Sequence, residues 1–375
     1  MKIPLLDLRA EYNFLKTDIN RQLKSLFLTQ EWILGPKVIE LEKKISKYLG
    51  IKETIALASG TDALVLSLQA IAQFKKKKPC FNSRDEIITT PFTFVATGES
   101  ILRSGAKPVF VDIDPKTYNI DPKQVETAIN KNTVGIMPVH LYGLAADLES
   151  IDSLARKNNL FVVSDCAQSF GAKYKGKKLG SSGICSAFSF FPSKNLGSFG
   201  DAGCITTNNR QIAKILRVLR NHGQDGANKA VFLGYNSRLD SIQAAVLLSK
   251  LKHIDKFNAQ RKKVAQKYNS VLTKLPMIET PYLPKNSSHV YGVYTIRVPK
   301  KRDQLLKFLT KAGVAARVYY PHLISKMKIF KAAKIIGNLE NSKRACKEVL
   351  SLPIGPFLKS SQADYITKKI CQFFK

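Results

Sequence analysis

No run of apolar residues in this chain of 375 approaches the roughly 20 that a helix needs to cross a bilayer. The stretch Met1–Glu11 lacks the apolar core of a signal peptide. A soluble, cytoplasmic protein with no membrane partner is therefore expected. Cysteine is sparse and scattered: Cys80, Cys166, Cys185, Cys204, Cys346 and Cys371 form no C-x-x-C pair. That spacing offers no structural zinc site, no other metal is expected, and reduced thiols are the default in a cytosol. Internal repeats are missing too. Acidic side chains are the largest shortage, 28 against 60 Lys and Arg, for a net charge of +32. The imbalance is uneven, because residues 251–375 hold 26 basic and only 6 acidic side chains. Charge of this kind governs association and solubility rather than fold. It fits a solvated lysine-rich surface, a field that draws in a polyanionic small substrate, or nucleic-acid binding. The last would be expected to leave a zinc-finger, RRM or basic-zipper pattern; none is found, so no nucleic-acid partner is expected.

The length and the ordinary apolar content, 44%, allow a large core and two domains. Residues 36–49 read as an amphipathic helix: Pro36 at its first position, Val38, Leu41, Ile45 and Leu49 on one face, Gly50 as its stop. Thr54–Ala58 reads as a short buried strand, and Ser59-Gly60-Thr61-Asp62 turns into a helix over Ala63–Phe74. Further short apolar runs follow at Glu86–Thr90, Pro108–Ile113, Val134–Val139, Leu160–Ser164, Ser186–Phe191 and Cys204–Thr207, with room for helices between them. Strands alternating with helices predict a mostly parallel sheet covered on both faces. One long helix is expected over 241–272. A smaller α+β unit should follow, with strands at Val290–Val298 and Val314–Tyr319 and a helix at Gln304–Ala312. The expected division is a large domain over 1–250 and a small one over 251–375.

In parallel sheets ligands bind beyond the carboxyl ends of the strands. Ser59, Asp165 and Lys194 all fall at such ends. An apolar run, Ala187 to Phe191, delivers Lys194 to a glycine-broken loop that continues to Gly203. A lysine picked blindly is a surface charge, but one placed in a cleft can form a Schiff base with a carbonyl such as that of pyridoxal phosphate. Asp165 could keep a pyridine nitrogen protonated or could simply cap a turn. Gln168 could donate to a phenolic oxygen or be exposed. Ser59-Gly60-Thr61 is either a plain helix cap or a phosphate seat, and Ser189 could reach the same phosphate. Phe94 is a stacking face for a ring or a core residue. Asn236 and Arg238 suit phosphate binding or a surface pair.

Taken together and in order, these segments resemble the DegT/StrS-type nucleotide-sugar aminotransferases, which depend on pyridoxal phosphate. The resemblance runs almost end to end. It includes Ile3-Pro4-Leu5-Leu6-Asp7-Leu8, Leu34-Gly35-Pro36, Ser59-Gly60-Thr61-Asp62-Ala63-Leu64 and Thr93-Phe94-Val95-Ala96-Thr97. It continues through Val139-His140-Leu141-Tyr142-Gly143, Asp165-Cys166-Ala167-Gln168, Phe188-Ser189-Phe190 with Lys194, Arg220-Asn221-His222-Gly223, Gly234 to Ala245, and Ser351-Leu352-Pro353. The resemblance implies the aspartate-aminotransferase fold and makes Lys194 the Schiff-base lysine, with Asp165 at the pyridine nitrogen, Gln168 near the ring hydroxyl and Phe94 stacked on the ring. Gly60, Thr61 and Ser189 would bind the phosphate, while Asn236 and Arg238 would reach the phosphate of the neighbouring subunit in a homodimer.

The activity so implied moves an amino group from a donor amino acid, glutamate by the resemblance, to a UDP- or dTDP-linked keto-sugar. The loop Asn195-Leu196-Gly197-x-x-Gly200-Asp201 is similar to members that aminate C3, whereas those acting at C4 more often carry glutamate at the position of Asp201. C3 is therefore expected and C4 is the alternative. Some relatives dehydrate sugars and replace the lysine by histidine, which Lys194 contradicts. A regulatory protein that keeps the cofactor but not the turnover is the alternative of another class. Tyr320-Pro321-His322-Leu323 is shorter than the family's corresponding segment, so no sugar contact is assigned to it.

Overall fold

The computed structural model describes residues 2–226 and 229–375. In chain order the elements are α1 (Leu8–Thr29), α2 (Pro36–Leu49), β1 (Glu53–Leu57), α3 (Gly60–Lys76), β2 (Glu86–Thr89), α4 (Val95–Arg103), β3 (Lys107–Phe110), α5 (Pro122–Ala128), β4 (Thr133–Ile136), α6 (Leu148–Lys157) and β5 (Phe161–Asp165). A hairpin, β6 (Lys173–Tyr174) and β7 (Lys177–Lys178), leads to β8 (Cys185–Ser189), β9 (Gly203–Thr207), α7 (Arg210–Leu219), α8 (Ser241–Leu251) and α9 (Ile254–Leu272). The remainder is β10 (Tyr294–Arg297), α10 (Arg302–Lys311), β11 (Lys334–Ile335), α11 (Glu340–Glu348), β12 (Val349–Leu352) and α12 (Ser360–Phe373).

Eight strands form one sheet in the order β1-β9-β8-β5-β4-β2-β3-β11. Every neighbouring pair is parallel except those made by β9, which runs against both β1 and β8. The mostly parallel α/β sheet expected from the sequence is present. Its strands are buried on both faces because they are nearly continuous apolar runs: Ile55, Ala56 and Leu57 in β1, Ile87 and Ile88 in β2, Val162 and Val163 in β5. Helix α3 covers one face, with Leu64, Leu68 and Ile71 packed on Val163, Ala187 and Ile205. On the other face α2 and α8 pack on Ala56, Phe188 and Cys204.

Three expectations are corrected. Residues 241–272 are not one helix, since α8 stops at Leu251 and α9 starts at Ile254. No glycine or proline marks the break. Packing makes it: α8 is buried almost all round, whereas α9 has a wet lysine face and heads for a second core. His253 fills the corner, its ring 5.2 Å from Phe14 and 5.8 Å from Phe257. Val314–Tyr319 is not a strand; it makes only single bridges, Val314 with Ile3 and Arg317 with Ser351. Strand Val290–Val298 shrinks to β10, whose partner is β12.

The second core gathers Val264, Tyr268, Ile296, Leu305, Leu350 and Ile366. Packing crosses residue 250 in both directions. Ile3 belongs to this second core, Ile254 to the core beneath the large sheet, and β11 pairs with β3 at that sheet's edge.

Candidate active site

Because β1, β5 and β8 are parallel, their carboxyl ends share one edge of the sheet, and the reversed strand β9 begins there. Gly203 stands in register with both Leu57 and Ser189. A Cβ on Gly203 would lie 2.5 Å from the Ser59 carbonyl, and one on Gly60 would lie 2.6 Å from the Ser189 Cβ. Close approach therefore requires glycine at both positions, and it draws Ser59, Gly60 and Ser189 into one corner. Ser59 caps α3, its Oγ accepting from the Asp62 amide at 3.0 Å and its carbonyl from the Ala63 amide at 3.1 Å. The amides of Gly60 and Thr61 have no protein acceptor among the described residues. They sit at the positive end of a 17-residue helix, beside the Ser189 hydroxyl, where backbone donors and the helix dipole favour an anion.

Asp165 ends β5 and is 5% exposed. Its Oδ2 accepts from Thr97 Oγ1 at 2.8 Å and its Oδ1 from the Ala167 amide at 3.1 Å. Thr97 in turn shares a hydrogen bond with Thr93 at 3.1 Å. Burial pushes the Asp165 carboxyl above its ordinary range, against those two donors and the charge of Lys194. Lys194 lies in the loop after β8, where its amide donates to the Phe191 carbonyl at 2.8 Å. Its side chain is half-buried. Burial pulls its amine below the ordinary lysine range, and the Asp165 charge opposes that pull.

Gln168 is held at both ends. Its Oε1 accepts from the Tyr142 amide at 2.8 Å, and its Nε2 donates to the Tyr320 hydroxyl at 2.9 Å. Phe94 is 57% exposed, with its ring centroid 6.5 Å from that of Tyr320. It is an aromatic face open to the cleft rather than a core residue.

The structure thus brings together Gly60, Thr61 and Ser189 at the corner, and Asp165, Gln168, Phe94 and Lys194 along the cleft. Asn236 and Arg238 are not turned toward the corner. Arg238 Nε donates to Asn236 Oδ1 at 3.0 Å, and its Nη1 to Asn221 Oδ1 at 3.3 Å. Their segment is bridged to Leu57, and Asn236 is exposed.

Two participants carried no role in the sequence reading. Thr97 lies in the first turn of α4, and Thr93 just before that helix shares its hydrogen bond. Tyr320 comes from a segment 152 residues beyond Gln168, and only the fold brings them together. His140 is fully buried, its Nδ1 accepts from the Ala146 amide at 3.0 Å, and burial pulls it down to about 3. It is a neutral imidazole with its proton on Nε2.

A lysine, a buried carboxylate and an anion corner on one sheet edge are the arrangement of an aminotransferase. Residues 13–371 match the DegT/DnrJ/EryC1/StrS aminotransferase family, and the chain belongs to it. A pleiotropic regulatory protein of Geobacillus stearothermophilus is 44% identical over 100% of this chain and 99% of its own length. The UDP-2-acetamido-2-deoxy-3-oxo-D-glucuronate aminotransferase of Pseudomonas aeruginosa is 39% identical over 97% of this chain and 98% of its own. Among solved structures, ntda of Bacillus subtilis with bound cofactor PMP superposes with a TM-score of 0.90 at 33% identity, over 99% of this chain and 85% of that one. Among the described residues no helix is long and apolar enough to cross a membrane.

Proposed function

We propose that the protein is a pyridoxal-phosphate-dependent aminotransferase acting on C3 of a UDP- or dTDP-linked 3-keto sugar, with an amino acid such as glutamate as donor. The convergence of Gly60, Ser189 and buried Asp165 on the sheet edge that delivers Lys194 carries the reading. The free amides of Gly60 and Thr61 beside Ser189 fit the phosphate, the open face of Phe94 fits the ring, and Asp165 fits the pyridinium nitrogen. When bound, the cofactor supplies an electron sink for the carbon that loses its proton. Lys194 would hold it covalently, and its amine would carry the proton. That task needs a neutral amine, whose reference pKa is about 10.4, and burial moves Lys194 in the required direction. Gln168, fixed by Tyr142 and Tyr320, would serve the ring hydroxyl. The P. aeruginosa relative is named for a 3-oxo UDP sugar, which agrees with the C3 preference drawn from Asp201.

The regulatory reading draws on the name of the G. stearothermophilus relative. One experiment separates the readings: the purified protein with glutamate and a panel of 3-keto and 4-keto UDP and dTDP sugars. Amino sugar should form from a 3-keto member. Turnover of 4-keto members alone would give the C4 alternative, and cofactor binding without any turnover would leave the regulatory one.

We further propose a cytoplasmic homodimer in which Asn236 and Arg238 complete the partner's phosphate corner. Exposed Tyr12, Ile33, Phe199 and Ile242 support it. Tyr12 packs on Phe199, Gln243 accepts from the Phe199 amide, and Ile33 bridges to Asp240 beside Arg238. These contacts make one apolar surface next to the Asn236–Arg238 segment. Lys194→Ala and Arg238→Ala should each be inactive alone. Refolded together, they should regain about a quarter of the parental activity, since half the dimers are mixed and each mixed dimer has one intact site. No recovery on mixing would show that the two residues serve the same protomer.

A further inference from the structure

Lys194 has a long, freely rotating stem, and its amine takes no hydrogen bond from protein among the described residues. Where the amine can reach therefore depends on how the backbone beneath it is held. The next residue, Asn195, is 6% exposed. Its Nδ2 donates to Asn258 Oδ1 at 2.7 Å and to the Val290 carbonyl at 3.0 Å. Asn258, on α9, donates from its own Nδ2 to the Phe170 carbonyl at 3.1 Å. These bonds fix both amide orientations. The Phe170 carbonyl requires the Asn258 nitrogen, so the Asn258 oxygen faces Asn195, and Asn195 must present its nitrogen to that oxygen and to Val290.

The remaining atom, Asn195 Oδ1, is buried without a donor. It faces Gly292, where a Cβ would lie 2.9 Å from it and 2.5 Å from the Gln168 carbonyl. A Cβ on Gly171 would likewise lie 2.7 Å from Asn258 Nδ2. Three chain segments (the Lys194 loop, the loop from Asp165 to Gly171, and the strand entry at 290–292) thus converge on one amide pair. Leaving a carbonyl oxygen buried and unbonded is a cost, and the fold bears it at the residue beside Lys194.

We propose that Asn195 and Asn258 are positioning residues, an amide pair that holds the Lys194 loop in register with the Asp165–Phe170 loop and so fixes where the lysine amine can reach. The inference rests on Lys194 being the cofactor lysine, and its test separates the two claims. Cofactor-free protein is treated with pyridoxal phosphate and borohydride, and the label on the Lys194 peptide is followed by mass spectrometry. Rates are compared on the high-pH plateau, where a changed lysine pKa has no effect. A parent that is not labelled at Lys194 would refute the cofactor-lysine reading itself.

With a labelled parent, Asn195→Ala and Asn258→Ala should each slow labelling about tenfold. The double variant should also be about tenfold slower, because either substitution already breaks the Asn195–Asn258 link that joins the two loops. In turnover kcat should fall with it, while KM for the sugar stays within about twofold. Parental labelling rates in the single variants, or a hundredfold loss in the double, would overturn the proposal. If circular dichroism shows an alanine variant unfolded, the isosteric Asn195→Asp takes its place. It presents an oxygen to two acceptors and should be slowed to the same extent; a parental rate there would equally refute the clamp.

Discussion

Lys194→Ala should reduce kcat by at least about a thousandfold, to the background of free cofactor and amino acid. The loss follows from geometry. Lys194 follows β8 at the sheet edge where Asp165 ends β5, and a carboxylate serving the pyridine nitrogen would not take the proton at the substrate carbon. Two measurements check it. Borohydride should attach cofactor mass to the parent chain and not to the variant, and the purified variant should lack the visible colour of the covalent complex. Lys194→Arg should fail equally, because a guanidinium stays charged and cannot act as the base. A coloured, active Lys194→Ala protein would remove the foundation of the functional reading.

Asp165→Asn should be harmful to turnover and favourable to the fold. Activity should fall about a hundredfold or more, since an amide cannot hold the pyridine nitrogen protonated and the loss resembles that of one preorganised electrostatic partner. Stability should move the other way in the cofactor-free protein. An aspartate titrates near 3.9 when unfolded, and burial raises Asp165 above that. The native state therefore keeps its proton to higher pH. The contribution to stability is full below about pH 4 and is lost as pH rises through the raised native value, so burying this carboxyl is a cost on the alkaline side of that window. Asparagine removes the charge and can still meet both neighbours, accepting from the Ala167 amide and donating to Thr97, whose hydroxyl can turn to Thr93. Calorimetry across pH should show the variant melting above the parent at pH 7–8 and the gap closing on acidification. Equal melting at all pH values would mean that the carboxylate is not strained by burial. An unchanged kcat would mean that it does not serve the cofactor.

Much of this was legible because the relevant signals are local. Strand runs such as Leu160–Ser164 announce their own burial, and parallel order follows from the helices between them, so Ser59, Asp165 and Lys194 could be placed on one edge before any coordinates. Seven of the positions expected to serve a cofactor then fell along that edge. What stayed hidden depends on long-range packing. The break at Lys252–His253 has no breaker residue; it comes from α8 being buried and α9 half wet, with His253 wedged between Phe14 and Phe257. Val314–Tyr319 has the residues of a strand, but Ile3 and Ser351 give it only single bridges. Tyr320 and Asn258 reach the site from distant segments, and their types alone, a tyrosine and an asparagine, carry no address.

The reversed strand β9 makes the lysine loop the tip of a hairpin rather than a connection from strand to helix. Both legs, β8 and β9, are interior strands, rejoined at Ser189 opposite Gly203. A strand-to-helix loop can lengthen by letting its helix slide; this one has a ladder on each side and nowhere to slide. Insertions that retune the enzyme for a bulkier sugar should therefore accumulate around Tyr320, while the spacing from residue 189 to residue 203 stays constant.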